Sequence, residues 1–368
     1  MTRGDRAARR AVVDVYEGAS ASAVGPARAR TQLRSGLLLT LTDADGLTGQ
    51  GEAAPLPAYD GATLVDVRAA LDAAAEQLSR AGRVVPGTLL AKPWVRELPG
   101  CARFAVEVAV LDLEARRRGV PLRRMLRPRG AMVPVPVSAY VGAALDAGLA
   151  ARANDAVARG VGTLKVKLGG TVECFDAEVA AVAALRDEVP GAWRLRLDLN
   201  GAWTAASAAP ARLAALAALD AEFVEQPFTP GSVPSLPFRW AADESMGVDG
   251  DVRAVLRAGA SRGVVAVVLK PAALGLLRAW ELASRARAAG LAVVVTHLFD
   301  GPIGLAAACE LALALPSVGA CGLDLHAGLA AWPARDVPQR ASAAYVVPGA
   351  GVGHGIASLP SGRAAAGL

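Results

Sequence analysis

Leu164-Lys165-Val166-Lys167-Leu168 and Arg194-Leu195-Arg196-Leu197-Asp198-Leu199-Asn200 read as two β-strands with the same alternation. Successive side chains on a strand point to opposite faces. Lys165 and Lys167 therefore share one face, and Arg194, Arg196, Asp198 and Asn200 share another, each opposite an aliphatic face. Working outward, short apolar runs alternate with Ala-rich helical segments at 133–141, 163–168, 194–199, 222–225, 240–244, 264–270, 291–297 and 320–325. Polar residues fall at or near the ends of seven of these runs: Lys167, Asp198, Glu225, Asp243, Lys270, His297 and Asp324, in steps of 31, 27, 18, 27, 27 and 27 residues. A step near 27 holds one strand, one helix and two short loops, and repeated units of that kind make a parallel sheet. Eight of them make a closed (β/α) barrel, which the even series favours over the alternative, a doubly wound open sheet with fewer strands. The short step predicts that the helix between Glu225 and Asp243 is missing or reduced, where 229–238 carries Pro and Ser.

The first 130 residues have a different rhythm. Strand-like runs at 10–16, 37–42 and 50–54 precede helical stretches near 64–81 and 102–118, and in the last Phe104, Val108, Leu111 and Ala115 recur at helical spacing. This predicts an α+β unit over 1–130 ahead of the barrel unit at 131–344.

Composition bounds the function. With 368 residues, 53% apolar and 20% charged, the chain is globular and large enough for two domains. No run of about 18 residues is free of charge and punctuation, which argues against a membrane span. No apolar stretch follows Met1-Thr2-Arg3-Gly4-Asp5-Arg6, so no signal peptide is expected. Cys101, Cys174, Cys309 and Cys321 are widely spaced with no CxxC pair, as suits a reduced, cytoplasmic protein. The net charge of +5 comes without a basic stripe and with 4% aromatics, so no nucleic-acid partner is expected.

Only four of the 39 basic residues are lysines: Lys92, Lys165, Lys167 and Lys270. Arginine cannot lose its proton at working pH, so lysines that persist in an arginine-rich chain mark places where the chemistry needs an amine. Asp198, Glu225 and Asp243 end three successive strands, which sets three carboxylates side by side at the catalytic rim of a barrel. Such hard oxygen ligands point to Mg²⁺, with Mn²⁺ as a substitute. The plainer alternative is a salt-bridge network with Lys165, Lys167, Arg196 and Lys270. Lys167 and Lys270 end the second and sixth strands and face each other across the mouth. Two amines flanking a divalent ion suit proton abstraction beside a substrate carboxylate, the ion stabilising the enediolate charge. A metal and other cations would lower a lysine's pKa towards a usable base.

These residues resemble the enolase superfamily, whose sites combine a Lys or His base with Mg²⁺. The set Lys165-x-Lys167, Asp198-x-Asn200, Glu225-Gln226-Pro227, Asp243-Glu244-Ser245 and Lys270-Pro271 resembles its muconate-lactonizing subgroup. Within it, Gly51-Glu52-Ala53-Ala54-Pro55-Leu56-Pro57, Arg196 two residues before Asp198, Val267-Val268-Leu269-Lys270-Pro271 and Gly322-Leu323-Asp324-Leu325 look most like the o-succinylbenzoate synthases. The resemblance implies a modified TIM-type (β/α)7β barrel with an α+β N-terminal capping domain, which the tail 345–368 rejoins. It implies a lyase that dehydrates 2-succinyl-6-hydroxy-2,4-cyclohexadiene-1-carboxylate in menaquinone biosynthesis. Lys167 would take the proton, Lys270 would supply charge on the opposite face, and Asp198, Glu225 and Asp243 would bind Mg²⁺. Lys165, Asn200 and Glu244 would support them, and Arg196 would orient the site. The implied partner is a small-molecule carboxylate, with no membrane and the oligomeric state open.

The chain departs from that pattern at 296–304, where His297 and Asp300 replace a serine-rich stretch with a glutamate. Both are possible substrate contacts; Lys270 stands where the mandelate racemase subgroup has the aspartate partner of its histidine. Gly169-Gly170 reads as a turn, His326 and His354 as structural or exposed, and Cys309 as core. Arg28, Arg30 and Arg34 flank a Gly/Ala/Ser-rich stretch expected to lie over the site. The same template also serves N-acylamino acid racemases and dipeptide epimerases, because lysines on both faces permit inversion. The Arg196 and Lys270-Pro271 context favours the synthase. Muconate cycloisomerisation and an inactive metal-binding scaffold rank behind these two.

Overall fold

The computed structural model describes residues 8–19, 33–80, 86–89, 92–169, 173–204, 208–231, 233–247, 249–316, 318–326, 329 and 336–358. Arg28 and Arg30, and with them the expected loop over the site, lie outside the described residues.

Strands β1 (Ala8–Ala19), β2 (Leu33–Asp43) and β3 (Thr48–Ala53) form an antiparallel sheet in that order. Leu37, Leu39 and Leu41 of β2 alternate onto one buried face, against Leu71 and Leu78 of the helix Leu64–Arg80 and Ala105 and Ala109 of the helix Gly100–Arg118. A Cβ on Gly51 would run into the carbonyl of Ala105, so glycine is what lets β3 lie against that helix. The helix Gly100–Arg118 is apolar on two sides. Its other stripe, Phe104, Val108 and Leu111, joins Leu38 and the helices of the second unit in one continuous core. Burying each such side chain stabilises by about 1.5–3 kcal/mol, and the helix thus binds the antiparallel sheet to the helices of the second unit.

After β4 (Val135–Pro136), seven parallel strands form one sheet: β5 (Ala139–Ala143), β6 (Thr163–Lys167), β7 (Arg194–Asp198), β8 (Phe223–Glu225), β9 (Trp240–Ala242), β10 (Val264–Leu269) and β11 (Ala292–Val295). They lie in sequence order, each hydrogen-bonded to the next, as in a TIM-barrel-like fold. Leu164, Val166, Leu195 and Leu197 pack outward against Val182 and Leu185 of the helix Phe175–Glu188. Among the described residues no helix lies between β8 and β9, in line with the short step in the sequence.

The expected eighth strand at 320–325 is not a strand. Cys321 and Gly322 form isolated parallel bridges to Val137 and Thr296. The amide of Cys321 donates to Pro136 O and its carbonyl accepts from Ser138 N, both at 2.8 Å, while Gly322 N donates to Val295 O at 2.9 Å. Gly322 is pressed against the Thr296 side chain, which leaves no room for a Cβ.

Beyond this, β12 (Tyr345–Val346) pairs antiparallel with β4. The chain then crosses to the helix Gly100–Arg118. Buried Asp112 accepts from His354 N at 2.9 Å, Gln50 N at 3.0 Å and Arg116 Nε at 2.8 Å, and Arg116 also donates to Ile356 O at 2.8 Å. All four cysteines are free, and only Cys174 is exposed. Among the described residues no helix is long and apolar enough to cross a membrane.

Candidate active site

Strand register assembles the site. Lys167 on β6 pairs with Asp198 on β7, and Asp198 with Glu225 on β8. Glu225 pairs with Ala241 on β9, two residues before Asp243, and Lys270 directly follows β10. Three carboxylates thus end adjacent strands in a row, with a lysine beyond each end. Asp198, Glu225 and Asp243 are 5%, 2% and 1% exposed and Lys270 is 8% exposed, so their charges have to be answered within the protein.

They answer one another. Lys165 Nζ lies 2.8 Å from Asp198 Oδ2 and 2.6 Å from Glu225 Oε1. Lys270 Nζ is hydrogen-bonded to Asp243 Oδ2, and Lys167 Nζ to Asn200 Oδ1. Asn200 Nδ2 in turn donates to Glu244 Oε1 at 3.2 Å. Asn200 and Gln226 take left-handed backbone conformations, φ 43° and 37°, directly behind the strand ends. Those turns let Asn200 N donate to Asp198 Oδ1 at 3.0 Å and aim Gln226 Oε1 at Asp243 N, 2.9 Å away.

The electrostatics follow from burial. Burial, with Asp198 and Asp243 beside it, pushes the Glu225 carboxyl up to about 8 against the pull of Lys165. Burial also raises Asp243. Asp198 goes the other way, because the Lys165 ammonium outweighs its burial. Lys165 and Lys270 are held above the usual lysine range: burial opposes their charge, but Asp198 and Glu225 around Lys165, and Asp243 and Glu244 around Lys270, more than offset it. These carboxylates keep Lys270 protonated; the lowered amine expected from the sequence depends on a bound cation.

Among the described residues no three His, Cys, Asp or Glu side chains converge as a ready-made ion cage; the lysine ammonium groups stand among the carboxylates. The donor set nevertheless fits a hard divalent cation. Asp198, Glu225, Asp243 and Glu244 supply four carboxylates against the three ammonium groups of Lys165, Lys167 and Lys270, and buried Glu244 Oε2 has no hydrogen-bond partner.

Other residues singled out in the sequence are engaged by partners of their own, and His297 also feels the charge of Lys165. Arg196 is buried, but Nε donates to Glu222 Oε2 at 2.7 Å and Nη1 to Ala320 O at 2.6 Å, at the N-terminal side of the sheet. These contacts tie it to the sheet floor and not to the carboxylates. His297 has both ring nitrogens engaged: Nδ1 accepts from Phe299 N at 2.9 Å and Nε2 meets Asp324 O at 3.1 Å. Burial keeps this imidazole well below its usual pKa, hence neutral, and its ring lies 5.0 Å from that of His326. Asp300 is 1% exposed and accepts from Leu298 N. Asp324 forms ion pairs with Arg159 and Arg340.

Two contributors come from the first unit and escaped the sequence reading. Tyr59, on the short helix Pro57–Asp60, donates from its hydroxyl to Asp243 Oδ1 at 3.2 Å, and Lys270 Nζ lies 4.1 Å from its ring centroid. Glu52 on β3 accepts from Ile303 N and Gly304 N at 3.2 and 3.1 Å and from Gly301 N, closing the first turn of the helix Pro302–Ala314. The GEAAP stretch carried the resemblance, but nothing in its spacing assigned Glu52 a partner.

Residues 148–359 match the family described as Enolase C-terminal domain-like. A hydrophobic dipeptide epimerase of Roseobacter litoralis is 30% identical over 315 residues, 82% of this chain and 86% of the relative. An o-succinylbenzoate synthase of Mycobacterium ulcerans is 35% identical over 211 residues, but this spans only 55% of the chain and 58% of the relative. Among solved structures, the dipeptide epimerase of Enterococcus faecalis complexed with Mg and the dipeptide L-Leu-L-Tyr superposes with a TM-score of 0.82 at 23% identity, over 96% of this chain and 100% of the other. At that identity the likeness shows the fold alone.

Proposed function

The chain belongs to the enolase superfamily, and on that premise we propose that it inverts a carbon centre next to a carboxylate by 1,1-proton transfer, as an epimerase of dipeptides or a racemase of N-acylamino acids. The observation that carries this reading is the pair of amines, Lys167 and Lys270, set on either side of one row of buried carboxylates. In one direction Lys167 takes the α-proton and the electron pair left on carbon spreads into the substrate carboxylate. Lys270, kept protonated by Asp243 and Glu244, returns a proton to the opposite face. In the other direction the two would exchange roles, Lys270 acting as the base only where Asp243 would bind the cation and no longer pair with it. Asp198, Glu225 and Asp243 would hold Mg²⁺, or Mn²⁺ in its place, and the cation when bound supplies positive charge for that carboxylate. Lys165 spaces the first two ligands, and Asn200 ties Lys167 to Glu244.

The sequence alone favoured the lyase. The balance moves to epimerisation because the epimerase relative aligns over most of both chains, whereas the synthase relative aligns over little more than half. The synthase remains the second reading: its dehydration needs one base, Lys167, and the ion-paired Lys270 suits a purely electrostatic partner. We also take the bridges at Cys321 and Gly322 as closing the sheet into the (β/α)7β barrel over 131–344. The contacts of His354 and Ile356 with the helix Gly100–Arg118 support joining 345–368 to the capping unit 1–130.

Incubation in D₂O with Mg²⁺ and a panel of hydrophobic and cationic dipeptides and N-succinylamino acids tests the proposal. Deuterium entering at the α-carbon with inversion is the expected result. Release of o-succinylbenzoate from the cyclohexadiene substrate, without α-exchange in the panel, would replace it by the lyase.

A further inference from the structure

The two lysines are held in different ways. Lys167 is bonded to Asn200, from its own sheet. Lys270 is gripped by a residue from the other unit: the face of the Tyr59 ring lies under its ammonium, while the Tyr59 hydroxyl bonds the other oxygen of the carboxylate that pairs with it. One side chain thus touches both halves of the Lys270–Asp243 pair. Tyr59 is itself fixed. Pro57 opens its helix, Tyr59 N donates to Leu56 O at 2.7 Å, and its ring packs on the core shared by the two units. A cation over an aromatic face is attracted by the ring quadrupole, more strongly where water is excluded.

Resting on the epimerase reading, we infer that Tyr59 is a positioning residue for Lys270, the one of the two lysines that it touches, so that the first unit controls proton transfer on one face of the substrate more than on the other. Inversion needs both lysines, but exchange with retention needs only the lysine on that face. A defect confined to Lys270 therefore leaves one epimer able to exchange its α-proton and stops its inversion.

Two measurements test this. The chain has four lysines, so ¹³Cε-lysine labelling gives four side-chain signals, with Lys270→Met assigning one. In the Mg²⁺-free and the Mg²⁺-loaded protein alike, the Lys270 signal is displaced upfield by the Tyr59 ring; Tyr59→Phe keeps the displacement and Tyr59→Leu abolishes it. An undisplaced Lys270 signal, or a displacement that survives Tyr59→Leu, would overturn the inference. With an exchanging dipeptide in D₂O, Tyr59→Leu lowers inversion and exchange of the Lys270-facing epimer by about tenfold, the loss of one desolvated cation–π contact. Exchange with retention of the Lys167-facing epimer falls clearly less than this, and Tyr59→Phe restores most of the loss. An equal fall for both epimers would reduce Tyr59 to a general binding or structural residue. If the wild-type protein exchanges no dipeptide or acylamino acid, the epimerase reading falls, and the lysine spectrum still decides whether Tyr59 holds Lys270.

Discussion

Oε2 of Glu52 accepts the amide hydrogen of Gly304 at 3.1 Å, across 252 residues of chain. The same carboxylate takes the amides of Gly301 and Ile303, so a residue of the antiparallel sheet satisfies the open first turn of a helix in the parallel unit. That helix, Pro302–Ala314, is buried along its whole length, and water cannot replace the cap. Substituting Glu52→Ala should cost about 3 kcal/mol, as expected for buried amides that lose an ionised acceptor. Urea unfolding measures it, and Glu52→Gln should recover part of the loss. Because Glu52 also anchors the run leading to Tyr59, turnover should fall in Glu52→Ala even where the fold is fully populated.

Lys167 is half-buried at a strand end, so its removal should be read in activity and not in stability. Lys167→Ala is expected to lower turnover by roughly 10²–10⁴-fold, the range of a lost general base, while the unfolding midpoint stays put. Unchanged turnover would remove Lys167 from the mechanism under either the epimerase or the lyase reading.

The carboxylate row makes a prediction about Mg²⁺ that needs no substrate. A ligand that binds only the folded state stabilises it by about 2.7 kcal/mol when present at a hundred times its Kd. Thermal unfolding should therefore rise with added Mg²⁺, return to the starting value with EDTA, and lose this response in Asp198→Asn and Glu225→Gln. A melting temperature indifferent to Mg²⁺ would favour the plain salt-bridge network.

Glu107, buried in the helix Gly100–Arg118, has its pKa raised by burial from 4.5 to about 7, against the pull of Leu277 N and Arg103. The folded state then holds the proton more tightly than the unfolded one. Stability from this group is full below pH 4.5 and is lost as pH rises through about 7, by about 3 kcal/mol in all. Glu107→Gln should flatten that stretch of the stability–pH curve, as read from denaturant midpoints at a series of pH values.

Much of the site was legible because strand alternation is a local rule. It set Lys165 with Lys167, and Asp198 with Asn200, on the inner face, and the parallel register then lined up Asp198 and Glu225. Alternation gives a face but not a depth. Arg196 shares that face, yet one pleat lower it meets Glu222 and the Ala320 carbonyl. Tyr59 was out of reach for a different reason. It lies 184 residues from Asp243, on a helix of four residues with no periodicity to read, and only tertiary packing brings it to Lys270. His297 drew attention by residue type, but the turn at Phe299, φ 57°, spends its Nδ1 on the backbone.

The bonds of His354 and Ile356 to Asp112 and Arg116 also bear on how the molecule is made. A ribosome delivers the helix Gly100–Arg118 more than 200 residues before the segment that completes it, Asp112 and His354 being 242 positions apart. Throughout that interval Asp112 lacks one of its backbone donors and its imidazole neighbour. The first unit cannot reach its final stability before residues 354–356 have been made, and their return to a helix made far earlier is a late step of assembly.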